Sequence, residues 1–230
     1  MNHQKIAVYC GLIFCVLYGI GWWPTAGFFP PPLPTSTASE IANQYQTNTW
    51  RIQFGLILTV ISVTLLFPWV SMISLQLKRI EGSRPLYAWT QLATGTAGVM
   101  IIYFASFIWL LGTFRPDRPI DVTYLINDMG WLLFTTTLAP FLAQVVSIGM
   151  AIISDKSPTP VFPQWLGFYN IAVASLFVPA CIIFFFKTGP FAWNGLITFW
   201  VPVIDFFVWI IVMSYYLLKA IDTDPEVKGA

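Results

Sequence analysis

Charged side chains are scarce in this chain: 9% of its 230 residues are Asp, Glu, Lys or Arg, whereas 57% are hydrophobic. A soluble domain carries roughly 25% charged residues, because water must solvate its surface. Most of this protein's surface is therefore expected to face lipid. Nucleic-acid binding requires an excess of basic residues, and the net charge of this chain is only +1. We therefore expect no nucleic-acid partner.

Histidine and cysteine are scarce as well. The single histidine, His3, excludes a bis-histidine haem, a histidine metal cluster and a Ser-His-Asp arrangement. The three cysteines lie in apolar stretches. Cys10 and Cys15 are five residues apart, so they do not form a Cys-x-x-Cys redox motif. There is also no glycine-rich phosphate loop. We therefore predict no metal site, assign no catalytic residue and name no cofactor.

Six hydrophobic runs are long enough to cross a bilayer, which takes about 20 apolar residues per helix. They cover about residues 5–23, 50–77, 86–113, 121–153, 165–187 and 191–219. The first run ends at Trp22-Trp23-Pro24 without the small residues of a signal-peptide cleavage site, so we interpret it as a retained span. The runs predict an all-α membrane protein, a bundle of about six transmembrane helices in a single domain over residues 1–230.

Prolines interrupt four of these runs. Pro68, Pro140 and Pro202 lie within the second, fourth and sixth runs, and Pro179 lies within the fifth. Each proline removes a backbone hydrogen bond and clashes with the preceding turn. We therefore predict that several of the spans are kinked.

The longest connection, residues 24–49, contains Thr37 followed three positions later by Glu40. This spacing is typical of a capping box and predicts a short helix running through Ile41 and Tyr45. The helix is expected to lie on the outer membrane face, to cover the mouth of a cavity, or to pack on the ends of the spans.

The distribution of basic residues predicts the orientation. With six spans, the N-terminus, the loops at 78–85 and 154–164 and the C-terminus share one side. That side carries seven of the eleven Lys and Arg residues. Cytoplasmic loops are enriched in Lys and Arg. We therefore expect both termini to be cytoplasmic.

Asp205 is the most informative polar residue, because it lies midway along the sixth run. An ionised carboxylate near the bilayer centre costs at least about 3 kcal/mol. Asp205 is therefore expected to be protonated, hydrogen-bonded or matched by a cation, either at a ligand or proton site or as a link between helices. At 100° per residue, Asn194, Thr198 and Trp209 lie close to it on one stripe.

Aromatic residues make up 17% of the chain and fall into two sets. One set is expected to anchor the helix ends at the membrane interfaces. It comprises Trp22, Trp23, Trp50, Trp165 and Trp193. The other set lies deeper, around Asp205, and suits an apolar ligand or lipid contact. It comprises Trp200, Phe206, Phe207 and Trp209.

A second candidate site is the pair Asn127 and Asp128, about two turns into the fourth run. Arg51, Arg115 or Arg118 are plausible ion partners for this acid. An acid in the first turns of a helix is also favoured by the helix dipole, so a purely structural role is open.

Other polar residues recur within the spans and could line an internal cavity or mark packed faces. Gln91 belongs to the third run, Gln144 to the fourth and Asn170 to the fifth. On the third run, Gln91 shares a stripe with Gly98 and Trp109.

Two segments, Ile126-Asn127-Asp128-Met129-Gly130-Trp131 and the stretch from Phe186 to Gly195, resemble those of small bacterial inner-membrane proteins. The resemblance covers most of the chain. It implies a multi-pass protein of a bacterial inner membrane. That group has no assigned activity, so the resemblance implies none here.

Three functions are compatible with these observations. The first is a protein that binds or transports a small, largely apolar molecule and uses a buried, proton-linked carboxyl group. The second is an intramembrane enzyme that uses Asp205 and Asp128 as acids on a lipid or isoprenoid. The third is a structural subunit of a larger membrane complex. The expected partners are membrane lipids, a small apolar ligand, and copies of the chain or other membrane subunits.

Overall fold

The computed structural model describes residues 3–136 and 138–224. Residues 1–2, residue 137 in the predicted fourth span, and residues 225–230 lie outside the described part. The described residues contain no β-strand and include six helical segments long and apolar enough to cross a membrane. These segments are His3–Thr25, Thr49–Glu81, Leu86–Phe114, Ile120–Ser154, Gln164–Phe185 and Leu196–Asp222. The predicted six-helix bundle is confirmed, and the chain is a multi-pass membrane protein.

The α-helices are numbered in chain order. They are α1 (His3–Ile20), α2 (Ala38–Thr47), α3 (Thr49–Val63), α4 (Leu66–Glu81), α5 (Leu86–Phe114), α6 (Ile120–Thr136), α7 (Ala139–Ser154), α8 (Gln164–Phe177) and α9 (Val201–Asp222). The second span is formed by α3 and α4, and the fourth by α6 and α7. A π-helical turn at Gly21–Thr25 extends α1, and another at Leu196–Trp200 precedes α9. A 3₁₀ helix, Val178–Phe185, completes the fifth span.

The irregular points in the spans coincide with prolines. The break between α3 and α4 lies at Thr64 and Leu65, just before Pro68. Pro140 is in the first turn of α7, and Pro179 is in the first turn of the 3₁₀ helix. Proline cannot donate to the carbonyl four residues earlier, so the regular hydrogen-bond pattern fails there. The structure therefore confirms the predicted interruptions.

The short helix α2 forms as the sequence predicts. The Thr37 hydroxyl accepts a hydrogen bond from the Glu40 backbone N–H at 3.3 Å, and the Glu40 carboxylate accepts from the Thr37 N–H at 2.7 Å. Ile41 and Tyr45 turn inwards and are buried. Because α2 packs against α6 and α3, it closes one end of the bundle, which we call the α2 face.

The start of α1 and the end of α9 lie at the other end of the bundle, which we call the terminal face. Lys5 of α1 forms a 2.7 Å ion pair with Asp222 of α9. Arg79 of α4 donates to the Ala220 carbonyl at 3.0 Å and pairs with Asp224 at 3.5 Å. These contacts join three spans at this face.

The sixth span begins later than predicted. The sequence placed its start at residue 191, but the segment before Leu196 forms turns. Gly189 has a φ of +80°, a left-handed conformation that favours glycine, and the Ala192 N–H donates to its carbonyl at 3.3 Å. The turns therefore shorten the span at the α2 face.

Packing is uneven around the bundle. The long helix α5 packs closely against α4, α6 and α7, and α1 packs against α3, α4 and α9. The contacts of α9 with α4 and α8 are sparser. Open space in the protein interior lies between α5 and α9.

Candidate functional site

An apolar cavity of about 110 Å³ lies within the bundle, and residues from every span border it. Aromatic side chains make up much of its wall. They include Phe14, Trp69, Phe141, Phe206, Phe207 and Trp209. No Asp, Glu, Lys, Arg or His borders the cavity within the described residues. The site therefore suits an uncharged and mostly apolar group.

Two glycines of α5 shape the cavity in different ways. A Cβ atom added to Gly98 would have no heavy atom within 4 Å, so this glycine leaves space open. A Cβ atom on Gly95 would lie 2.7 Å from Nε2 of Gln144. Gly95 therefore provides the room in which the Gln144 side chain lies.

The polar groups of the wall are mostly paired with protein atoms. The Trp69 indole N–H donates to Ser214 Oγ at 2.9 Å, and the Trp209 N–H donates to Asn170 Oδ1 at 2.9 Å. Thr135 donates to the Trp131 carbonyl at 2.6 Å. Because their N–H groups are engaged, Trp69 and Trp209 present ring carbons to a bound molecule.

Two further residues with hydroxyl groups border the cavity; one hydroxyl is hydrogen-bonded to the protein and the other is enclosed by it. Thr198 donates to the Ala192 carbonyl. The Tyr18 hydroxyl is enclosed by protein and has Ser106 as its polar neighbour, without a hydrogen bond of ordinary geometry. Neither hydroxyl is free to receive a guest.

Gln144 is the exception. Its side chain borders the cavity, is 4% exposed, and makes no hydrogen bond with any described residue. Its amide atoms do not belong to the fully enclosed polar atoms of the protein, so they are open to the cavity. The cavity thus contains one unpaired amide in an otherwise apolar wall.

Only some of the residues predicted to share a face with Asp205 border this cavity. Thr198, Phe206, Phe207 and Trp209 border it, but Asp205 does not. Asn194 is separated from these residues because the regular helix that the sequence predicted does not reach it. Asn194 lies in the preceding turn, and the π-helical turn at Leu196–Trp200 changes the rotation per residue.

Asp205 instead lies half-buried towards α8. Its Oδ2 atom is enclosed and has no hydrogen-bond partner, and the same holds for the Tyr169 hydroxyl, which lies in its electrostatic range. Because the span begins at Leu196, Asp205 is roughly 14 Å from that end of the span and roughly 25 Å from Asp222. It is therefore closer to the α2 face than the predicted midpoint.

Two other predicted polar residues connect helices. Asn170 is fully buried, donates to the Leu166 carbonyl at 2.8 Å and accepts from Trp209, which links α8 to α9. Gln91 is fully buried near the terminal face and accepts a hydrogen bond from Ser74 of α4. Neither residue borders the cavity.

The second predicted site, at Asn127 and Asp128, lies beneath α2. Asn127 is buried and accepts from the Trp131 indole N–H at 3.2 Å. Asp128 is half-buried and close enough to Tyr45 to act on it electrostatically. Burial raises the pKa of the Tyr45 hydroxyl, and the neighbouring carboxylate raises it further.

The basic partners that the sequence suggested for Asp128 lie elsewhere. The Arg51 guanidinium donates to the Pro24 carbonyl at 3.2 Å, and Arg118 donates to the Leu111 carbonyl at 3.5 Å. Arg115 lies over the Phe114 ring. Among the described residues, Lys187 is the basic group that acts on Asp128, and the two form no ion pair. The expected pairing is not formed, because Arg51 and Arg118 donate to nearby backbone carbonyls and Arg115 lies over an aromatic ring.

A dense aromatic group lies next to the cavity, towards the α2 face, and was not anticipated. We call it the aromatic cluster. It consists of Trp22, Phe28, Trp109, Trp131, Phe134 and Phe199. The Trp109 and Trp131 ring centroids are 4.7 Å apart. Phe134 and Phe199 also border the cavity, so the two regions share a wall.

The predicted interfacial set of tryptophans is only partly exposed. Trp23, Trp50 and Trp165 have mainly exposed side chains. Trp22 and Trp193, in contrast, are buried, the first in the aromatic cluster and the second with its indole N–H on the Pro32 carbonyl at 2.8 Å. The assignment failed for these two because the 24–49 connection folds back over the helix ends.

Comparison of the chain with protein-family models, with curated proteins and with solved structures finds no match. The resemblance to small bacterial inner-membrane proteins stays a prediction. The geometry of the cavity is therefore the basis for a functional assignment.

Proposed function

We propose that this membrane protein binds a small, largely apolar molecule inside its helix bundle. The observation that carries the proposal is the cavity of about 110 Å³, whose apolar wall contains one open amide. An apolar cavity of about 150 Å³ in a protein interior holds a molecule of the size of benzene. The present cavity has about three-quarters of that volume, so a single-ring compound is at the upper end of the probe sizes that suit it.

Binding is better supported than catalysis. An acid–base enzyme requires a carboxyl group beside its substrate. Asp205 faces α8 and Asp128 lies beneath α2, so neither carboxyl borders the cavity. Transport would additionally require the cavity to open towards each side of the membrane in turn.

The test uses fluorobenzene with the detergent-solubilised protein and ¹⁹F NMR, which separates protein-bound from micelle-dissolved probe. In Gly98→Leu, the new side chain occupies the open space beside α5 and should abolish the bound signal. Gly19→Leu is the matched control, because Gly19 also has open space around its Cβ position but does not border the cavity. Wild type and Gly19→Leu should show the bound signal.

Two results would overturn the proposal. One is the absence of a bound signal in folded wild-type protein. The other is an equal bound signal in Gly98→Leu and Gly19→Leu, which would place the probe outside the cavity.

We further propose that the membrane is a bacterial inner membrane and that the terminal face is cytoplasmic. The supporting observations are the excess of Lys and Arg on that side of the chain and the resemblance of its segments to inner-membrane proteins. A green fluorescent protein fused after Ala230 should fluoresce, because that reporter folds in the bacterial cytoplasm. A dark fusion of normal abundance would reverse the orientation.

A further inference from the structure

We infer that the bound molecule carries a neutral hydroxyl or carbonyl oxygen, and that the Gln144 amide is the group that holds it. This inference rests on the proposed function and specifies its ligand class. Gln144 belongs to α7, is 4% exposed and makes no hydrogen bond to any described residue. Buried amides without partners are rare in proteins, because desolvation of a polar group is uncompensated.

The other polar groups around the cavity do not compete for such a ligand. The indole N–H groups of Trp69 and Trp209 donate to Ser214 and Asn170, and the hydroxyls of Thr135 and Thr198 donate to backbone carbonyls. Because these donors are engaged, a guest meets ring carbons and aliphatic carbons over most of its surface. Gln144 is the point in the cavity wall where a polar atom finds a free partner.

The local packing holds the amide in place. The Cβ position of Gly95 lies 2.7 Å from Gln144 Nε2 and 2.7 Å from Val70 Cγ1. Any side chain at position 95 would therefore push against the amide and against α4. Gly95 acts as a positioning residue, since it lets Gln144 lie between α5 and α7.

The chemistry of the amide defines the ligand. Its NH₂ group donates and its oxygen accepts, so it binds either a carbonyl or a hydroxyl. A charged group is excluded, because no ionisable Asp, Glu, Lys, Arg or His side chain of the described residues borders the cavity. The ligand class is thus a small neutral apolar molecule with a single polar oxygen, and its apolar part is expected to lie against Trp69, Phe206 and Trp209.

The experiment compares two probes that differ in one oxygen: fluorobenzene and 4-fluorophenol, both followed by ¹⁹F NMR. In Gln144→Met, which keeps the side-chain length but removes the amide, the affinity for 4-fluorophenol should fall about 3- to 10-fold. The affinity for fluorobenzene should change less than about 2-fold, because apolar contacts are retained. Gly95→Ala should have the same selective effect by displacing the amide.

Gln91→Met is the matched control, because Gln91 is also buried but does not border the cavity. It should leave the binding of both probes unchanged. Equal losses of both probes in Gln144→Met and in Gly95→Ala, or no loss of either, would overturn the role of Gln144 while leaving the cavity as a binding site. Failure of both probes to bind wild type would instead overturn the proposed function itself.

Discussion

The cavity and the aromatic cluster are adjacent and share Phe134 and Phe199, yet they use aromatic residues in opposite ways. The cluster is closely packed, with ring centroids of Trp22, Trp109 and Trp131 4.7–6.4 Å apart. The cavity, lined by the same types of side chain, retains about 110 Å³ of space. Aromatic content alone therefore does not distinguish a packed core from a binding site.

Glycines decide the difference. Gly130 of α6 lies directly against the Trp109 indole, and a Cβ atom there would overlap the ring. Gly98 of α5 faces nothing within 4 Å of its Cβ position. In the cluster the space beside a glycine is filled by a neighbouring ring, whereas in the cavity it stays open.

The polar atoms differ in the same way. Within the described part, the Tyr45 hydroxyl, the Trp109 N–H and the Asn127 NH₂ near the cluster are enclosed without partners. In the cavity the unpaired amide of Gln144 is open. Enclosed polar atoms cannot receive a ligand, so we assign binding to the cavity.

The largest predicted effect is a difference between two phenylalanines. Phe28→Ala removes a ring that is 1% exposed and contacts Trp109 and Trp131, so it should cost about 3–4 kcal/mol of unfolding free energy. Phe207→Ala, at the half-buried edge of the cavity, should cost about 1–2 kcal/mol, because space is already present beside it. Denaturant titration in detergent measures both. Equal losses would mean that the two regions are equally packed.

Alanine at the two glycines should have effects of opposite sign. Gly130→Ala forces the rigid Trp109 ring to move and should destabilise the protein by about 2–3 kcal/mol. Gly98→Ala adds a methyl group to open space and should stabilise the helix by about 0.5 kcal/mol. The measurement is thermal unfolding of both variants with wild type alongside. A loss of stability in Gly98→Ala would show that the cavity is already filled by protein.

Asp205→Asn should have a smaller effect. The carboxyl group has no hydrogen-bond partner for Oδ2 and does not border the cavity. We therefore expect the unfolding free energy to change by less than about 1 kcal/mol, as is usual for a substitution that breaks no specific interaction. Fluorobenzene binding should be unchanged. Loss of probe binding in a stably folded Asp205→Asn protein would contradict this expectation and show that Asp205 contributes to the binding site.

The smallest effect concerns Asp155, in the loop after α7. Burial raises its pKa, but hydrogen bonds from the Ser157 hydroxyl, the Ser157 N–H and the Val161 N–H outweigh this, so its pKa lies below the ordinary value of 3.8. Its stabilisation is present above that value and is lost as the pH falls through the lower folded-state pKa. Because the carboxylate is partly exposed, we expect a loss below about 0.5 kcal/mol.

Unfolding of wild type and Asp155→Asn at pH 6 and below pH 3.8 isolates this contribution. Wild type should be the more stable of the two at pH 6, and the difference should shrink in acid. A difference that is independent of pH would contradict the assigned hydrogen bonds.

Local patterns in the sequence predicted the elements of the fold well. Six hydrophobic runs became six spans, the prolines mark the breaks, and Thr37 and Glu40 cap α2 as expected. These features depend on residues close together in the chain. The candidate site was less predictable, because Gln144 stood among several polar residues and nothing in its own helix distinguishes it from Gln91 or Asn170.

Asp205 shows most clearly what a single helix cannot predict. A helical wheel placed it with Thr198 and Trp209, and those two residues border the cavity, whereas Asp205 lies towards Tyr169 of α8. Likewise, Trp22 has the sequence context of an interfacial anchor and is buried because Trp109, Trp131 and Phe199 of other spans pack against it.

Six-span helical membrane architecture follows from the amino-acid sequence alone, since each run is long and apolar enough to cross the bilayer independently of the other runs. The packing of the helices was needed to show which aromatic residues fill space, which enclose it, and which buried amide lacks a partner. Those properties depend on atoms from different helices meeting in space, and the composition of a single helix does not specify its neighbours.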